Sequence, residues 1–417
     1  MRRRTLRCPI IQSNRVVIGV DIAKEQSVAV AQMGDGTVAR PLRFITTAEG
    51  FTKLVAYAEE ATKVSEATGF VVSLEPTGHY GWPLVCWLSS RGVEVFRVEP
   101  LHTSRVKELY DGTRRKTDNK DAVIIADLCR RGLCRRWVIQ TGPFAELRVL
   151  SRRRQELTKQ RNSAKNRLHR HMDVVFPELR RLFAKMTSKT VLALLAAVQT
   201  PAELLALAHE ELTALLVRAS RGQLGEERAR ALRQAAQASI GTTEGLEGHR
   251  LAIRQAVEEL AHISNQLQEV EAAMSRQLEA VPYAKRMLSI PQVGAITAAT
   301  LLGELGDFKG YRHAAQLLKM VGLDLVETSS GKLRGKRYIS GKGRSYARQL
   351  LYLAALRMGK SVLAGPRHRM VEVNKVQPTK AAVANSCRLL RILHALVRDD
   401  VDFEPARVTP AEVLRAA

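Results

Sequence analysis

The chain has 417 residues, and 66 lysines and arginines against 41 aspartates and glutamates give it a formal net charge of +25. An excess of this size is expected of a protein that neutralises nucleic-acid phosphates, with binding that weakens as salt rises. No apolar run reaches the roughly 20 uncharged residues of a membrane span, and the arginine-rich start lacks the apolar core of a signal peptide. The five cysteines are odd in number and form no Cys-X-X-Cys pair, so they predict reduced thiols in a cytoplasmic protein with no membrane partner.

The first third of the chain alternates strand and helix patterns after a basic tail at residues 1–15. Apolar runs predict strands over residues 16–20, 27–33, 37–45, 70–74 and 93–98. Helices are predicted over residues 49–65 and 83–90 and from residue 102 onward. Three strands, helix, strand, helix, strand and helix is the order of an RNase H-like (RuvC-like) α/β sheet, which we predict for residues 16–144.

Four acids stand where such a sheet would need them for chemistry. Asp21 and Glu75 directly follow buried strands, at the edge where α/β sheets place their ligands. Asp118 and Asp121 are spaced i, i+3, which puts both on one face of a helix that begins at residue 117 or 118. Carboxylate oxygens suit Mg²⁺, and two such ions about 4 Å apart would clamp the attacking and leaving oxygens of a phosphodiester. Each acid alone could instead be a capping residue, so the prediction depends on the set.

Helical periodicity takes over beyond residue 144, and residues 145–280 are predicted to form a helical coiled-coil region. Long helices are predicted over residues 146–173 and 251–278, with short helices between them. The apolar stripe of the second long helix fits a coiled coil, within the chain or between chains, or an amphipathic helix packed on its own domain. Between Arg152 and His171 the first long helix is crowded with cations and has Glu156 as its one acid, which favours a nucleic-acid contact over a solvated face. The cations assigned to that contact are Arg152, Arg153, Arg154, Lys159, Arg161, Lys165 and Arg167.

A helical C-terminal domain is predicted over residues 281–400, with a tail at residues 401–417. Residues 289–305 join two helical patterns through a Pro-Gln-Val-Gly turn and resemble a helix-hairpin-helix, in which backbone N–H groups meet a DNA phosphate. Farther on, Ser329 and Ser330 precede Gly331 in a polar, glycine-rich loop. A serine there is a candidate nucleophile or a simple turn former, and no histidine adjoins it as a base. The cations that could bind phosphate around this loop are Lys332, Arg334, Lys336, Arg337, Lys342 and Arg344.

Several motifs together resemble the DEDD transposases of bacterial insertion sequences, the one-ten and eleven-eleven family, whose relatives include the Piv-type DNA invertases. The motifs are GVDIAK at Gly19, EPTGHYG at Glu75, KTDNKDA at Lys116, PQVGAITAATLLGELGD at Pro291 and SSGKLRGKRYISGKGRSYARQLL at Ser329. The resemblance covers nearly the whole chain, and the combination of four acids with a downstream serine is quite specific. It implies a RuvC-like domain, a coiled-coil middle and a C-terminal transposase domain.

The resemblance also implies roles for particular residues and partners. It implies that two Mg²⁺ ions are bound by Asp21, Glu75, Asp118 and Asp121 and that the nucleophile of a phosphoserine link to DNA is Ser330. Donor and target double-stranded DNA, a structured bridge RNA, and dimers that pair into tetramers are implied partners. An RNA guide leaves sequence choice to base pairing, which agrees with an excess of charge over base-reading side chains. The chain departs from the family pattern at GLDLVE, which lacks the usual proline after Leu323, and at Gln292, where glycine is common.

Alternatives remain at the level of function and of single residues. An RNase H-like Holliday-junction nuclease would need the four acids but no serine, and a non-catalytic nucleic-acid-binding protein would need neither. Ser329 is the alternative nucleophile. Asp127 is predicted to be a helix-face residue, and His79 is predicted to make a structural hydrogen bond near the strand end rather than to bind metal or phosphate.

Overall fold

A computed structural model describes residues 14–76, 78–111, 118–330, 333–360 and 364–408. The chain divides into two compact units, with the boundary between Ile139 and Gln140. The first unit is a mixed α/β domain, and the described part of the second is helical apart from one β-hairpin. None of the helices in these ranges is both long enough and apolar enough to cross a membrane.

The first unit is built on a six-stranded sheet. Its strands are β1 Arg15–Asp21, β2 Gln26–Gln32, β3 Leu42–Ile45, β4 Gly69–Leu74, β5 Val95–Val98 and β6 Cys134–Arg136, and its helices are α1 Ala48–Val64, α2 Gly81–Ser89, α3 Pro100–Asp111 and α4 Asp118–Arg130. The strand order is β3-β2-β1-β4-β5-β6. β4 and β5 run parallel to β1, whereas β2, β3 and β6 each pair antiparallel to their neighbours. The order of elements through α3 is the predicted one.

Two strands of the sheet differ from the predictions. β3 covers only Leu42–Ile45 instead of residues 37–45, because the chain turns at Gly36 and Val38 forms only an isolated bridge to Gln32. β6 was not predicted. Its three residues include two arginines and are too few to establish an alternating pattern.

The sheet is covered on both faces, and the alternation of side chains decides which helix covers which. Val20 and Leu74 lie in the core beneath α1 and α2, whereas Val17 and Val71 lie beneath α4. Gly19 faces α4 so closely that a Cβ atom there would lie 2.1 Å from the Ala122 carbonyl oxygen. This glycine lets α4 lie directly on β1.

The second unit contains two long helices and a set of shorter elements. Its elements are α5 Gly142–Val175, α6 Leu179–Leu182, α7 Lys189–Ala197, α8 Pro201–Ala206, α9 His209–Ser220, α10 Glu226–Gln237, α11 Leu246–Glu279, α12 Ala284–Leu288, α13 Ala295–Leu305, a 3-10 helix at Phe308–Gly310, α14 Ala314–Val321, β7 Leu325–Ser330, β8 Leu333–Ile339, α15 Ser345–Met358, α16 Ala364–His368, a π-helix at Arg369–Val373, α17 Pro378–Asp399 and α18 Pro405–Val408. The two long helices and the short helices between them were predicted, and both long helices extend beyond the predicted bounds.

The long helices α5 and α11 lie antiparallel along one another. Leu157 of α5 packs against Ile263 and Leu267 of α11 in the middle of the pair. Toward the start of α5, Leu147 shares a core with Met274 near the end of α11. The apolar stripe of α11 is therefore buried within its own chain.

The serine segment is a β-hairpin, and the prediction of a glycine-rich loop was wrong at this point. Ser329 and Ser330 end β7, which pairs antiparallel with β8. Ser330 is paired with Leu333, and Gly331 and Lys332 between them lie outside the described residues. The chain is strand-forming here because apolar and β-branched residues from Leu325 onward support an extended ladder despite the polar composition.

Candidate functional site

Asp21 and Glu75 occupy adjacent positions at the carboxyl edge of the sheet. Val20 is paired with Leu74 in the parallel register of β1 and β4. Asp21 follows Val20 as the last residue of β1, and Glu75 directly follows Leu74, the last residue of β4. Neighbouring strands lie about 4.8 Å apart, so the register brings the two backbones together at this edge. Because side chains alternate, the acids are directed to the face opposite Val20 and Leu74, which is the face covered by α4.

Helix α3 supplies a hydrogen-bond partner for Glu75. The Thr103 hydroxyl donates to Glu75 Oε2 at 2.6 Å, and Thr103 is itself buried. A donor held in the core restricts the rotation of the carboxylate that it contacts.

Helix α4 delivers Asp118 and Asp121 to the same edge. Arg130 at the end of α4 donates from Nη2 to the Arg15 carbonyl oxygen at the start of β1, at 3.0 Å, so the helix runs antiparallel to the strand. Its first turn, which contains both acids, therefore lies at the carboxyl end of β1 beyond Gly19. A helix N-terminus also stabilises negative side chains.

Asp121 is the most buried of the four acids, with 6 % of its surface exposed, whereas Asp118 is exposed. Lys107 of α3 contacts Asp121 Oδ2 through Nζ at 2.8 Å. The other oxygen, Oδ1, is buried and has no hydrogen-bond partner within the described ranges. A buried carboxylate oxygen without a partner is costly unless a donor or cation meets it.

The four acids lie at one edge, but they do not converge into a closed metal-binding cluster. Among the described residues, no three Asp, Glu, His or Cys side chains stand close enough together to hold a metal ion. The donor set nevertheless fits a hard divalent cation, because it consists of carboxylate oxygens and includes the orphaned Oδ1 of Asp121. Lys107 supplies positive charge on the opposite oxygen of that carboxylate.

Asp127 near the end of α4 and His79 shortly after Glu75 both have local partners. Asp127 is buried and forms an ion pair with Arg131 one helical turn farther on, 2.8 Å from Nε to Oδ2. His79 packs its ring against Tyr80, with the ring centroids 4.3 Å apart.

The predicted nucleic-acid-binding arginines of α5 are partly used inside the second unit. Arg154 joins α5 to α11 through Glu271, with 2.7 Å between Nη2 and Oε1. Arg152 donates to the fully buried Glu304 of α13 at 2.8 Å, and Arg167 pairs with Glu259. These contacts give three of the seven cations a structural role, which sequence alone could not show because the acids are more than 90 positions away.

Other cations of α5 are crowded by like charge. Lys159 is exposed, and the pKa of Lys165 is lowered, first by burial and then by the nearby charges of Arg161 and Lys185. A group of neighbouring cations is expected to attract a polyanion. The nucleic-acid assignment of Arg153, Lys159, Arg161 and Lys165 stays a prediction.

Around the serine hairpin, Arg344 reaches the buried Glu304 at 3.9 Å and Arg337 lies 3.6 Å from Glu327. Lys342 is exposed beyond β8, and Arg334 and Lys336 lie on β8. Lys332 lies outside the described residues. The nucleic-acid role of all six cations also stays a prediction.

Sequence reasoning missed Thr103 and Lys107, whose side chains contact Glu75 and Asp121. They are spaced i, i+4 on α3, so both lie on one face of the helix that follows β5. A polar pair at that spacing, beside two strand-end acids, is the signal that could have found them.

A mixed α/β unit that collects carboxylates at one sheet edge, joined to a helical unit, is consistent with a nuclease-like DNA transposase. Family models for transposases match two parts of the chain: a DEDD transposase model of the IS110 type at residues 18–177, and a model described as transposase of the IS116/IS110/IS902 family at residues 284–366. The chain belongs to the IS110 family of insertion-sequence transposases, enzymes that cleave and recombine DNA.

Curated relatives carry the same relationship over most of the chain. A 44.8 kDa protein of insertion element IS116 from Streptomyces clavuligerus is 26% identical, over 94% of this chain and 97% of the relative. A 42 kDa protein of insertion element IS900 from Mycobacterium paratuberculosis is 29% identical, over 71% of this chain and 75% of the relative. A 43.6 kDa protein of insertion element IS110 from Streptomyces coelicolor is 26% identical, over 75% of this chain and 78% of the relative.

Proposed function

We propose that this transposase exchanges DNA strands through a covalent phosphoserine intermediate, with Asp21, Glu75, Asp118 and Asp121 as ligands of two Mg²⁺ ions and Ser330 as the nucleophile. The observation that carries the proposal is the register of β1 and β4 together with the direction of α4. These bring acids from three elements to one sheet edge. DEDD transposases generally depend on divalent metal ions, and the order of strands and helices along the chain through α3 is the one on which the RNase H-like assignment is based.

In the proposed reaction, different residues bind the metal ions, position the metal ligands and attack the phosphate. Divalent metal bound by the carboxylates would withdraw charge from the scissile phosphate and lower the pKa of an attacking hydroxyl. Thr103 and Lys107 hold the carboxylates of Glu75 and Asp121 in position. The Oγ atom of Ser330 bonds to the phosphorus as the P–O bond to the leaving DNA strand breaks, and the hydroxyl proton passes to the leaving oxygen. One phosphate ester thus replaces another, and its energy remains available for rejoining the strand.

The hairpin that carries Ser330 has a firmly attached base, which supports a role in positioning a nucleophile. Gly343, with a φ of 141°, lies against the Met320 carbonyl oxygen, where a Cβ atom would come within 2.2 Å. Arg344 N–H donates to the same carbonyl at 2.9 Å, and Gly341 N–H donates to the Gly322 carbonyl at 3.0 Å. The two strands are thus anchored to the end of α14 at one end and carry the serine at the other.

The proposal includes the finer parts of the predicted architecture. α5 and α11 form the helical region assigned to a coiled coil, and α12 and α13 flank the turn assigned to a helix-hairpin-helix. At that turn Gln292 adopts a φ of 70°, in the region that favours glycine, and nothing lies within 4 Å of a Cβ atom built on Gly294. An open helix N-terminus of this kind suits a DNA phosphate. Bridge-RNA guidance and the assembly of dimers into tetramers are proposed on the family resemblance.

A denaturing gel tests the serine chemistry. The native protein is incubated with Mg²⁺, labelled DNA spanning the ends of its element and RNA transcribed from the flanking region, beside the Ser330→Ala and Ser329→Ala variants. We expect a protein–DNA adduct that persists in Ser329→Ala and is lost in Ser330→Ala or on chelation of the metal. An adduct lost only in Ser329→Ala would move the nucleophile by one residue. Cleavage without any adduct would favour the junction nuclease, and binding without cleavage would favour the non-catalytic protein.

A second pair of variants tests the acids against their neighbour on the same helix. Asp121→Asn should abolish the adduct, because it removes a negative charge from the sheet edge at which the proposed metal ligands lie. Asp127→Asn is the matched control and should retain adduct formation, since Asp127 pairs with Arg131. Equal loss in both variants would show that α4 matters for folding rather than for metal binding.

A further inference from the structure

Two cysteines of the first unit lie in contact, outside the acidic edge. Cys129 is in the last turn of α4, and Cys134 is the first residue of β6. Their Sγ atoms are 3.5 Å apart, and both residues are buried, with 0 % and 5 % of their surfaces exposed. Both are free thiols.

The turn between α4 and β6 holds the two sulfurs together. Gly132, with a φ of 73°, donates its N–H to the Cys129 carbonyl at 2.9 Å, and Leu133 donates to the Leu128 carbonyl at 2.9 Å. Cys134 is then fixed by its pairing with Val98 of β5. The sulfurs are neighbours because the backbone on both sides is constrained. A disulfide needs about 2.05 Å between sulfurs, so the remaining approach is roughly 1.5 Å, within reach of side-chain rotation.

The two thiols are chemically unequal. The Cys129 thiol donates its hydrogen bond to Cys134, which lowers the pKa of Cys134. The same hydrogen bond, together with burial, raises the pKa of Cys129. Cys134 is therefore the sulfur that ionises more readily and attacks an oxidant, and Cys129 is placed to react second.

We propose that Cys129 and Cys134 form a redox modification site, which a hydroperoxide converts to a disulfide in the folded protein. The Cys134 thiolate attacks one oxygen of hydrogen peroxide and becomes a sulfenic acid, while the other oxygen leaves as hydroxide and is protonated to water. Cys129 sulfur then attacks Cys134 sulfur, the S–S bond forms, and the hydroxyl leaves as a second water. Two thiols are oxidised by two electrons, and one peroxide is reduced to two waters.

The position of the two cysteines determines what the disulfide would connect and how an oxidant would reach them. The disulfide would tie the end of α4 to the edge of the sheet, and α4 is the helix whose first turn carries Asp118 and Asp121. Access for a small oxidant is provided by local opening of β6, a three-residue strand at the sheet edge with both arginines exposed. The inference stands on the geometry of the sulfurs and is independent of the proposed function.

Peptide mapping tests the proposal on the full-length, reduced protein. The folded protein is treated with hydrogen peroxide, the excess is removed with catalase, and free thiols are alkylated after unfolding. Trypsin cuts after Lys120, Arg130, Arg131 and Arg135, so a disulfide would join the peptide of residues 121–130 to that of residues 132–135. We expect this joined pair, two hydrogens lighter than the separate thiols, and its disappearance on reduction.

The other described cysteines provide matched controls. Cys86 and Cys387 are more exposed but have no cysteine neighbour among the described residues, and a variant with Cys86→Ser and Cys387→Ser should form the link unchanged. Cys134→Ser should leave Cys129 alkylated, and oxidation in guanidinium should slow the link at least tenfold. Full alkylation of both cysteines at peroxide concentrations that oxidise Cys86, or a link made equally fast in guanidinium, would overturn the proposal.

Discussion

Glu75 and Asp121 show how much of this site depends on single contacts. Both acids were predicted from their positions after a strand and in a helix, but each also has a partner on α3: Thr103 for Glu75 and Lys107 for Asp121. Neither partner is a metal ligand in the proposal. Their effect is to hold the carboxylates at the sheet edge, so variants of these partners test the site without removing any ligand.

Thr103→Val replaces the hydroxyl with a methyl group of similar size. Glu75 then loses the donor that orients it, and we expect Mg²⁺ or Mn²⁺ to bind about 10–100-fold more weakly, the usual effect of removing a partner of a metal ligand. Isothermal titration measures the affinity. Thr103→Ser keeps the hydroxyl and should bind like the native protein. Unchanged metal affinity in Thr103→Val would remove Glu75 from the proposed ligand set.

Lys107→Met removes the positive charge that meets Asp121 Oδ2. The metal-free protein should melt at a lower temperature, because a buried carboxylate loses its counter-charge, and Mg²⁺ should then raise the melting temperature more than it does in the native protein. Thermal melts with and without Mg²⁺ make the comparison. Lys53→Met removes an exposed ion pair with Glu49 on α1 and should change neither melt. An equal Mg²⁺ shift in the Lys107 variant and the native protein would contradict competition between Lys107 and the metal.

The close packing of helix α4 on strand β1 places Asp118 and Asp121 at the sheet edge. It depends on Gly19, which leaves room for the backbone of α4 at Ala122.

The β7–β8 hairpin is an element that the sequence pattern did not predict. Val326 and Tyr338 face each other across its two strands and are both exposed, so the hairpin is extended without being a buried strand. Because these apolar side chains are exposed, the sequence lacks the alternation typical of a half-buried strand and predicts a loop at this segment.

Gly19→Ala should destabilise the first unit by about 3 kcal/mol, because a methyl group would overlap the Ala122 carbonyl and force the helix from the strand. Urea unfolding measures the loss. Gly248→Ala is the control, since nothing lies within 4 Å of its Cβ position in α11 and alanine favours helix by up to about 1 kcal/mol. Equal free energies of unfolding for the native protein and Gly19→Ala would show that α4 can move away from β1 without destabilising the first unit.

At the scale of the whole molecule, the cations behind the net charge of +25 are of two kinds: some pair with acids inside the protein, and others are exposed or lie among other cations. Arg154 and Arg167 bind acids of α11 and hold the long helices together. Lys159 is exposed, and Lys165 lies among other cations. The charge that attracts nucleic acid is thus smaller than the count of cations on α5 suggests.

Salt titrations of DNA or RNA binding separate the two kinds of cation. The double variant Lys159→Gln, Lys165→Gln should fold normally and lower the slope of log affinity against log salt by about 2, one phosphate contact for each lysine. Arg154→Gln should leave that slope unchanged and lower the free energy of unfolding, because Glu271 loses its partner. The reverse pattern would assign Arg154 to the nucleic acid and the lysines to solvent.

The amount that could be predicted differs between fold and site. The strands that end at Asp21 and Glu75, the helix that opens at Asp118 and the two long helices all follow from local periodicity, and the structure contains each of them. β6 was missed because it is three residues long, and the β7–β8 hairpin was missed because Leu325, Val326 and Tyr338 are exposed. At the site, Asp21 and Glu75 follow neighbouring strands and Asp118 and Asp121 open a helix, positions that the sequence predicts, whereas their partners on α3 were not foreseen and the role of the acids as metal ligands stays a prediction.

The sequence by itself determined the order of the elements, the positions of the acids at element ends and the excess of positive charge. These are local properties, since burial leaves its period of two or of 3.6 residues in every strand and helix. Only the tertiary structure decided that Lys107 meets Asp121, that Arg154 belongs to Glu271, and that Cys129 lies 3.5 Å from Cys134. Such pairs are set by how close elements pack and at what angle, which depends on many side chains at once and leaves no repeating pattern in the chain.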